Sequence, residues 1–159
     1  MIISSEDYWN ILEGFLGEWI GEISGKPGKG SGFAKYKKVL LSKFIYYKVR
    51  AEFPPQKNNI DGEVHEDAGY FSYDKFSNRG FLRVFYGEGY ISKYVLIDVD
   101  KKNSVLIFEA NENENLPPGF RAKITLQLET ISTINEKFEL ASPGKDYDMC
   151  IVNIWEKKK

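Results

Sequence analysis

The sequence predicts an all-β fold, a roughly ten-stranded antiparallel up-and-down barrel with one short N-terminal helix. Three observations predict it. From residue 18 to residue 156 the chain is a succession of strand-length runs in which apolar and polar residues alternate with period two. Most connections between the runs are short and rich in Gly, Pro, Asn and Asp, which suits hairpins and leaves no room for crossover helices. Helical spacing of apolar residues occurs once, within the first 17 residues. Many short strands without a second helix favour a closed barrel or a sandwich over an α/β fold. A sandwich fills its own core, whereas a barrel of more than about eight strands keeps space inside for a ligand. At 159 residues the chain is expected to form one domain, 1–159, with the helix in 1–17 and the barrel in 18–156.

Taken in order, Ser4-Ser-Glu-Asp7 has the [Ser/Thr]-x-x-[Asp/Glu] form of a helix start. Tyr8, Ile11, Leu12 and Phe15 follow at helical spacing, and Gly14 and Gly17 limit the helix to about three turns. Its apolar stripe suits a plug for one barrel end. Phe15-Leu-Gly-Glu-Trp-Ile-Gly-Glu22 then hands over to the first strand, 18–24. Trp19 needs a large pocket and a partner for its indole N–H, as the floor of a barrel provides, while Gly17 and Gly21 let neighbouring backbone come close. Gly25 to Gly32 reads as a hairpin loop. Gly25 and Gly30 have the spacing of a phosphate-binding loop, but Ser31-Gly32 stands where Lys-[Ser/Thr] is required, and a strand follows instead of a helix.

Residues 33–53 hold two strands that bend near Leu41 to Lys43, with Ile45, Tyr47, Val49, Ala51 and Phe53 on one face and Lys48, Arg50 and Glu52 on the other. Pro54 to Gly62 is a polar rim loop. In 64–73 one face carries His65, Asp67, Gly69, Phe71 and Tyr73. Strands at 81–86, 90–99, 104–110, 120–129, 132–140 and 147–155 complete the set. The cleanest alternation sets Phe120, Ala122, Ile124, Leu126 and Leu128 against Arg121, Lys123, Thr125, Gln127 and Glu129. A bulge at Gly69 or Gly89 would reverse the parity of its strand.

Composition removes several function classes. A formal net charge of −1 gives no general attraction to nucleic acid or acidic lipid, and Lys35, Lys37, Lys38 and Lys43 straddle both strand faces without an aromatic stacking platform. No run approaches membrane-spanning length and residues 1–20 show no basic leader before an apolar core, so a cytoplasmic protein is expected. Cys150 is the single cysteine, which rules out an intramolecular disulfide, and with His65 as the single histidine a zinc site is poorly supplied. Asn111-Glu-Asn-Glu-Asn115 reads as a solvated acidic loop. No Gly-x-Ser-x-Gly elbow accompanies His65, so no catalytic residue and no metal site are predicted.

Leu16-Gly-Glu-Trp-Ile-Gly21 resembles the L-G-x-W-x-G opening of the nitrobindin-like haem-binding β-barrels, which are related to fatty-acid-binding proteins and lipocalins. His65-Glu-Asp-Ala-Gly-Tyr70 is similar to the H-x-x-x-G-Y strand motif of the same barrels, and Asn115-Leu-Pro-Pro-Gly-Phe-Arg-Ala122 to a run in uncharacterised bacterial and archaeal proteins of this type. The resemblance implies a ten-stranded calycin-like barrel with the helix near one end. It also implies haem, which nitrobindins hold through a histidine near the chain end and use in peroxynitrite isomerisation. Here that segment, Tyr147-Asp-Met-Cys-Ile-Val-Asn-Ile-Trp155, has no histidine, so haem would need Tyr147, Met149 or Cys150 as its axial ligand.

The expected function is therefore a binding barrel for a small apolar or amphipathic molecule, with no resident cofactor. Tyr47, His65, Phe71, Tyr73, Arg83, Phe85, Phe120 and Ile124 are the candidate ligand-binding residues, supplying an apolar lining with a few polar groups. Arg83, between Phe81 and Phe85, is the candidate anchor for an acidic headgroup. Two alternatives stand beside this: a haem-dependent isomerase with a non-histidine ligand, and a ligand-free barrel that self-associates, for example as a homodimer.

Overall fold

The helix begins where its capping signal places it. In the computed structural model, which describes residues 2–159, α1 spans Ser5–Glu13, and the Ser4 side chain caps it by accepting from the Asp7 N–H at 3.0 Å. Gly14 ends it, and Tyr8 and Leu12 are its buried residues.

Ten strands follow: β1 (Gly17–Gly25), β2 (Gly28–Val39), β3 (Phe44–Phe53), β4 (Glu63–Asp74), β5 (Arg79–Tyr86), β6 (Ile91–Asp100), β7 (Val105–Glu114), β8 (Arg121–Thr130), β9 (Thr133–Ala141) and β10 (Met149–Lys157). Each pairs antiparallel with its sequence neighbours, and β1 pairs with β10 from Trp19↔Lys157 to Gly25↔Ile151. The sheet therefore closes on itself without an edge strand, although β7 pairs with β8 only from Val105 to Glu109. The predicted all-β, ten-stranded up-and-down barrel with one short helix is the observed fold. Among the described residues no helix is long and apolar enough to cross a membrane.

One loop is shorter than its sequence implies. Only Lys26 and Pro27 turn between β1 and β2, because Gly25 already pairs with Gly28. The glycines of this stretch answer a packing demand: a Cβ at Gly30 or Gly32 would run into the Glu52 or Arg50 carbonyl of β3. Register shifts fall between Lys93 and Tyr94, between Leu96 and Asp98, and between Leu128 and Thr130. The pairing of β4 with β3 and β5 runs through Gly69 without a break, so its predicted parity stands.

Helix α1 closes one end of the barrel. The Tyr8 hydroxyl donates to the Phe81 carbonyl at 3.1 Å, the Ile3 N–H to the Asn78 carbonyl at 3.3 Å, and the Tyr73 hydroxyl to the Ile3 carbonyl at 2.6 Å. Lys38, near the end of β2, and Lys101, in the turn after β6, reach to Glu13 and Asp7. The Trp19 indole N–H donates to the Phe15 carbonyl at 2.8 Å, so this fully buried ring ties the helix to the barrel floor. Above it lies a solid aromatic layer in which Tyr36 meets Tyr47 at 5.2 Å and Phe71 meets Phe108 at 5.9 Å between centroids. Side chains thus fill the helix half of the barrel.

Candidate ligand-binding cavity

The half away from the helix is hollow. A cavity of about 290 Å³ lies there, at the small end of the range for ligand sites. Strand β3 contributes Tyr47, Val49, Ala51 and Phe53, and β4 contributes His65 and Asp67. Tyr86 ends β5, and Glu88 and Tyr90 follow it in the turn to β6. The opposite wall comes from β8 to β10, chiefly Ile124, Glu136, Phe138, Leu140, Met149 and Asn153. Period-two alternation brings these together, since each is on the inward parity of its strand or at its rim.

Three acidic side chains face this space in different states. Glu136 is buried, accepting from the Tyr47 hydroxyl at 2.6 Å and from the Trp155 indole N–H at 3.0 Å. Burial pushes its carboxyl above the ordinary range, and Tyr47, Trp155 and Asn153, in that order, act against that. Replacing Tyr47 by Phe removes one donor from a buried carboxyl and is expected to lower stability by about 1–3 kcal/mol. Urea unfolding of the two proteins measures it, and an unchanged midpoint would show that Glu136 does not depend on that bond.

Asp67 differs in having a buried Oδ1 with no partner. Burial, and then the neighbouring charges of Glu88 and Glu136, push its carboxyl up to about 8, with His65 acting in the opposite direction. Glu88, at the rim, is hydrogen-bonded to His65 Nδ1. This bond holds the Glu88 carboxyl below its usual value and raises the imidazole above its own, against the effect of burial. Glu63 Oε2 lies 2.9 Å from the other ring nitrogen, out of line for a hydrogen bond, so His65 sits between two carboxylates. Tyr86 bonds hydroxyl to hydroxyl with Tyr94 and stacks on Tyr90 at 4.3 Å.

Of the eight residues singled out in the sequence, Tyr47, His65 and Ile124 meet at this cavity. Phe71 points inward but belongs to the solid aromatic layer, and Tyr73 lies at the helix end. Phe120 is half-buried just ahead of β8, outside the lining. Arg83 and Phe85 face outward. The inward positions of β5 are Gly80, Leu82 and Val84, so Arg83 donates to Ser72 Oγ at 3.0 Å and Phe85 is 51% exposed. No Arg or Lys lines the cavity. Sequence reasoning missed Glu136, Asn153, Tyr86 and Glu88. For Glu136 a signal existed, since it shares parity with Ile134 and Phe138; Asn153 likewise falls between Ile151 and Trp155.

The lining does not suit haem. Of Tyr147, Met149 and Cys150, Met149 alone faces the cavity. The Tyr147 ring instead packs under Arg121 and Lys123, at 5.2 and 4.5 Å. His65 is held between carboxylates, and the haem carboxylates would meet Asp67, Glu88 and Glu136 with no cationic side chain but that imidazole to receive them. Among the described residues, no three His, Cys, Asp or Glu side chains are grouped to hold a metal ion.

The molecule is thus a closed ten-stranded β-barrel, plugged at one end and hollow at the other. No protein-family model matches the chain, and neither does any curated protein. Among solved structures it is similar to Rv2717c from M. tuberculosis, with a TM-score of 0.68 at 11% identity over 99% of this chain and 100% of that one. A redesigned β-barrel matches at a TM-score of 0.45 and 6% identity over the full length of both. At such identities the first likeness is one of fold.

Proposed function

We propose that this protein is a small-molecule-binding barrel of the calycin type, holding an apolar or amphipathic ligand in the cavity opposite its helix. The observation that carries the reading is the contrast between the two halves of one barrel. The helix half is filled by close-packed aromatics, while the other keeps about 290 Å³ walled by Val49, Phe53, Ile124, Phe138 and Leu140 with a few fixed polar groups. Such a void forfeits dispersion contacts in the empty protein, and a ligand restores them. The fold likeness agrees with this and does not select a ligand.

The test uses a neutral fluorescent apolar probe, N-phenyl-1-naphthylamine. It is expected to bind the purified protein with one-to-one stoichiometry. Met149→Trp, which places a large ring at the start of β10 beside the rim, is expected to weaken binding at least tenfold while leaving the melting temperature near that of the parent. Failure of the parent protein to bind, or equal binding by the variant, would count against a ligand in this cavity. Mass analysis of material extracted from the protein as expressed then names what it carries.

A further inference from the structure

Three buried side-chain polar atoms of the cavity lining lack a hydrogen-bond partner; two are oxygens, and the third, His65 Nε2, lies 2.9 Å from the Glu63 carboxylate. Asp67 Oδ1 and Asn153 Oδ1 are both buried without a partner, and both residues line the same space. Asn153 is only 6% exposed. Two oxygens without a donor in one cavity are costly, at about 1–3 kcal/mol each, and a ligand donor completes the Asn153 oxygen directly and the Asp67 oxygen once its carboxyl is ionised. Glu136 already receives Tyr47 and Trp155, with the Asn153 amide beside it, so it adds negative potential and leaves Asp67 and the Asn153 Oδ1 as the open oxygens. The lining has no Arg or Lys, and its one basic group, His65, is already flanked by Glu88 and Glu63. The stacked Tyr86 and Tyr90 rings and the Phe53 ring add aromatic surface that suits a cation as well as an apolar group.

On the reading that this cavity binds a small molecule, we propose that the ligand is an amphipathic amine, its ammonium head donating to Asp67 and to Asn153 Oδ1 and its apolar body lying against Val49, Ile124 and Leu140. A carboxylate head is disfavoured by the same surroundings, since it would bring a negative charge to three acidic side chains. An alcohol supplies one donor and no charge, so it ranks between the two.

The ionisation of Asp67 gives this pairing a distinctive pH dependence. The groups that face Asp67 are Tyr47 from β3, His65 on its own strand, Tyr86, Glu88 and Tyr90 from β5 and the turn after it, and Glu136 from β9, while the neighbouring Glu66 points outward to Lys48 and Arg50. Only His65 among them is cationic, and Glu88 holds its charge. In the empty cavity at pH 7 the Asp67 carboxyl, pushed up to about 8, is mostly protonated. An ammonium pairs with the carboxylate, so binding releases that proton to solvent. Amine affinity is then expected to fall about tenfold per unit as pH drops below 8.

The experiment is calorimetric titration of the full chain with hexylamine and 2-phenylethylamine, compared with hexanol, 2-phenylethanol and hexanoate. The amines are expected to bind at least tenfold tighter than the alcohols at pH 7, with hexanoate weakest. Titrations in two buffers of different ionisation heat are expected to show about one proton released per amine bound. Asp67→Asn is expected to abolish the proton release and bring amine and alcohol to similar affinity. Alcohol or carboxylate binding as tight as amine, or amine binding without proton release, overturns the inference. If the neutral naphthylamine probe still binds in that case, the binding-barrel reading survives it; if neither the probe nor any of the five compounds binds, both fall.

Discussion

Replacing Gly21 by alanine is expected to leave little folded protein, whereas Gly144→Ala costs about 1 kcal/mol. Gly21 lies in the seam that closes the barrel, paired with Trp155 of β10 on one side and Gly32 of β2 on the other. A Cβ added there would fall on the Ile154 carbonyl oxygen, far inside van der Waals contact. That obstacle is backbone, so no rotamer change relieves it, and β1 and β10 must separate. The pairing from Trp19↔Lys157 to Gly25↔Ile151 would be lost, along with the packing of Trp19 and Trp155, both fully buried. Truncating one buried Trp typically costs about 3–5 kcal/mol, and a whole domain is stable by only about 5–15 kcal/mol. Opening the seam also exposes two strand edges, so aggregation is expected alongside unfolding. Gly144 differs because its Cβ would meet nothing, and only its φ of 70° resists alanine. Far-ultraviolet circular dichroism and urea unfolding followed by Trp fluorescence compare the two variants. A Gly21→Ala protein within 1 kcal/mol of the parent would show that β1 and β10 do not approach this closely.

The same seam shows what the sequence makes legible. The Ser4 cap and the run of alternating strands each have a local cause, so the helix and the all-β pattern follow from spacing, whereas closure through β1 and β10 and the place of Trp19 in the floor depend on pairing between the two ends of the chain. Glycine is ambiguous in this respect. Gly28, Gly30 and Gly32 carry the composition of a loop, yet they are strand residues of β2: Gly30 and Gly32 are kept small where β3 backbone crosses, and Gly28 by its φ of 111° and the Gln56 side chain against it. Strand β5 was ambiguous for another reason. Phe81, Arg83 and Phe85 alternate with Leu82 and Val84, so both faces carry apolar residues, and the aliphatic side turns inward while the larger aromatic side faces out. Among these five, Arg83 at the centre of the outward face is the one polar mark, outweighed by its two Phe neighbours on that face, and the pairing of Gly69 with Val84 decides. The buried Glu136 reads as a solvent residue because it stands between Asn135 and Lys137, although its parity is that of the core. Its cost is met by Tyr47 and Trp155, one 89 residues away in the chain, and no local pattern reports such a partner.

Asp67→Asn is expected to stabilise the protein at pH 7, by about 4 kcal/mol, with the gain vanishing near pH 4. The sign follows from the direction of the shift. An unfolded aspartate loses its proton near 3.8, while in the folded protein burial and the charges of Glu88 and Glu136 hold the Asp67 proton up to about 8. Between those values the folded state binds a proton that the unfolded state has released, so this group's contribution is fully present below about 4 and is lost as pH rises through 8. The slope is about 1.4 kcal/mol per pH unit. Asparagine has a similar shape and no proton to lose, so the variant escapes that decline. Glu136 is raised by burial and His65 by its Glu88 bond, and both are retained in the variant. The informative quantity is therefore the difference between parent and variant, measured by urea unfolding at pH 4, 5.5, 7 and 8. A variant less stable than the parent at pH 7, or a difference that does not change with pH, would show that Asp67 is not a buried acid in the empty barrel. The expected result separates folding from function at one residue. On the amine-binding proposal, the stability that Asp67 costs in the empty cavity and its unpartnered oxygen are both offset by the ligand's head group. A variant that folds better and no longer distinguishes amine from alcohol would place that role in the ligand's head group.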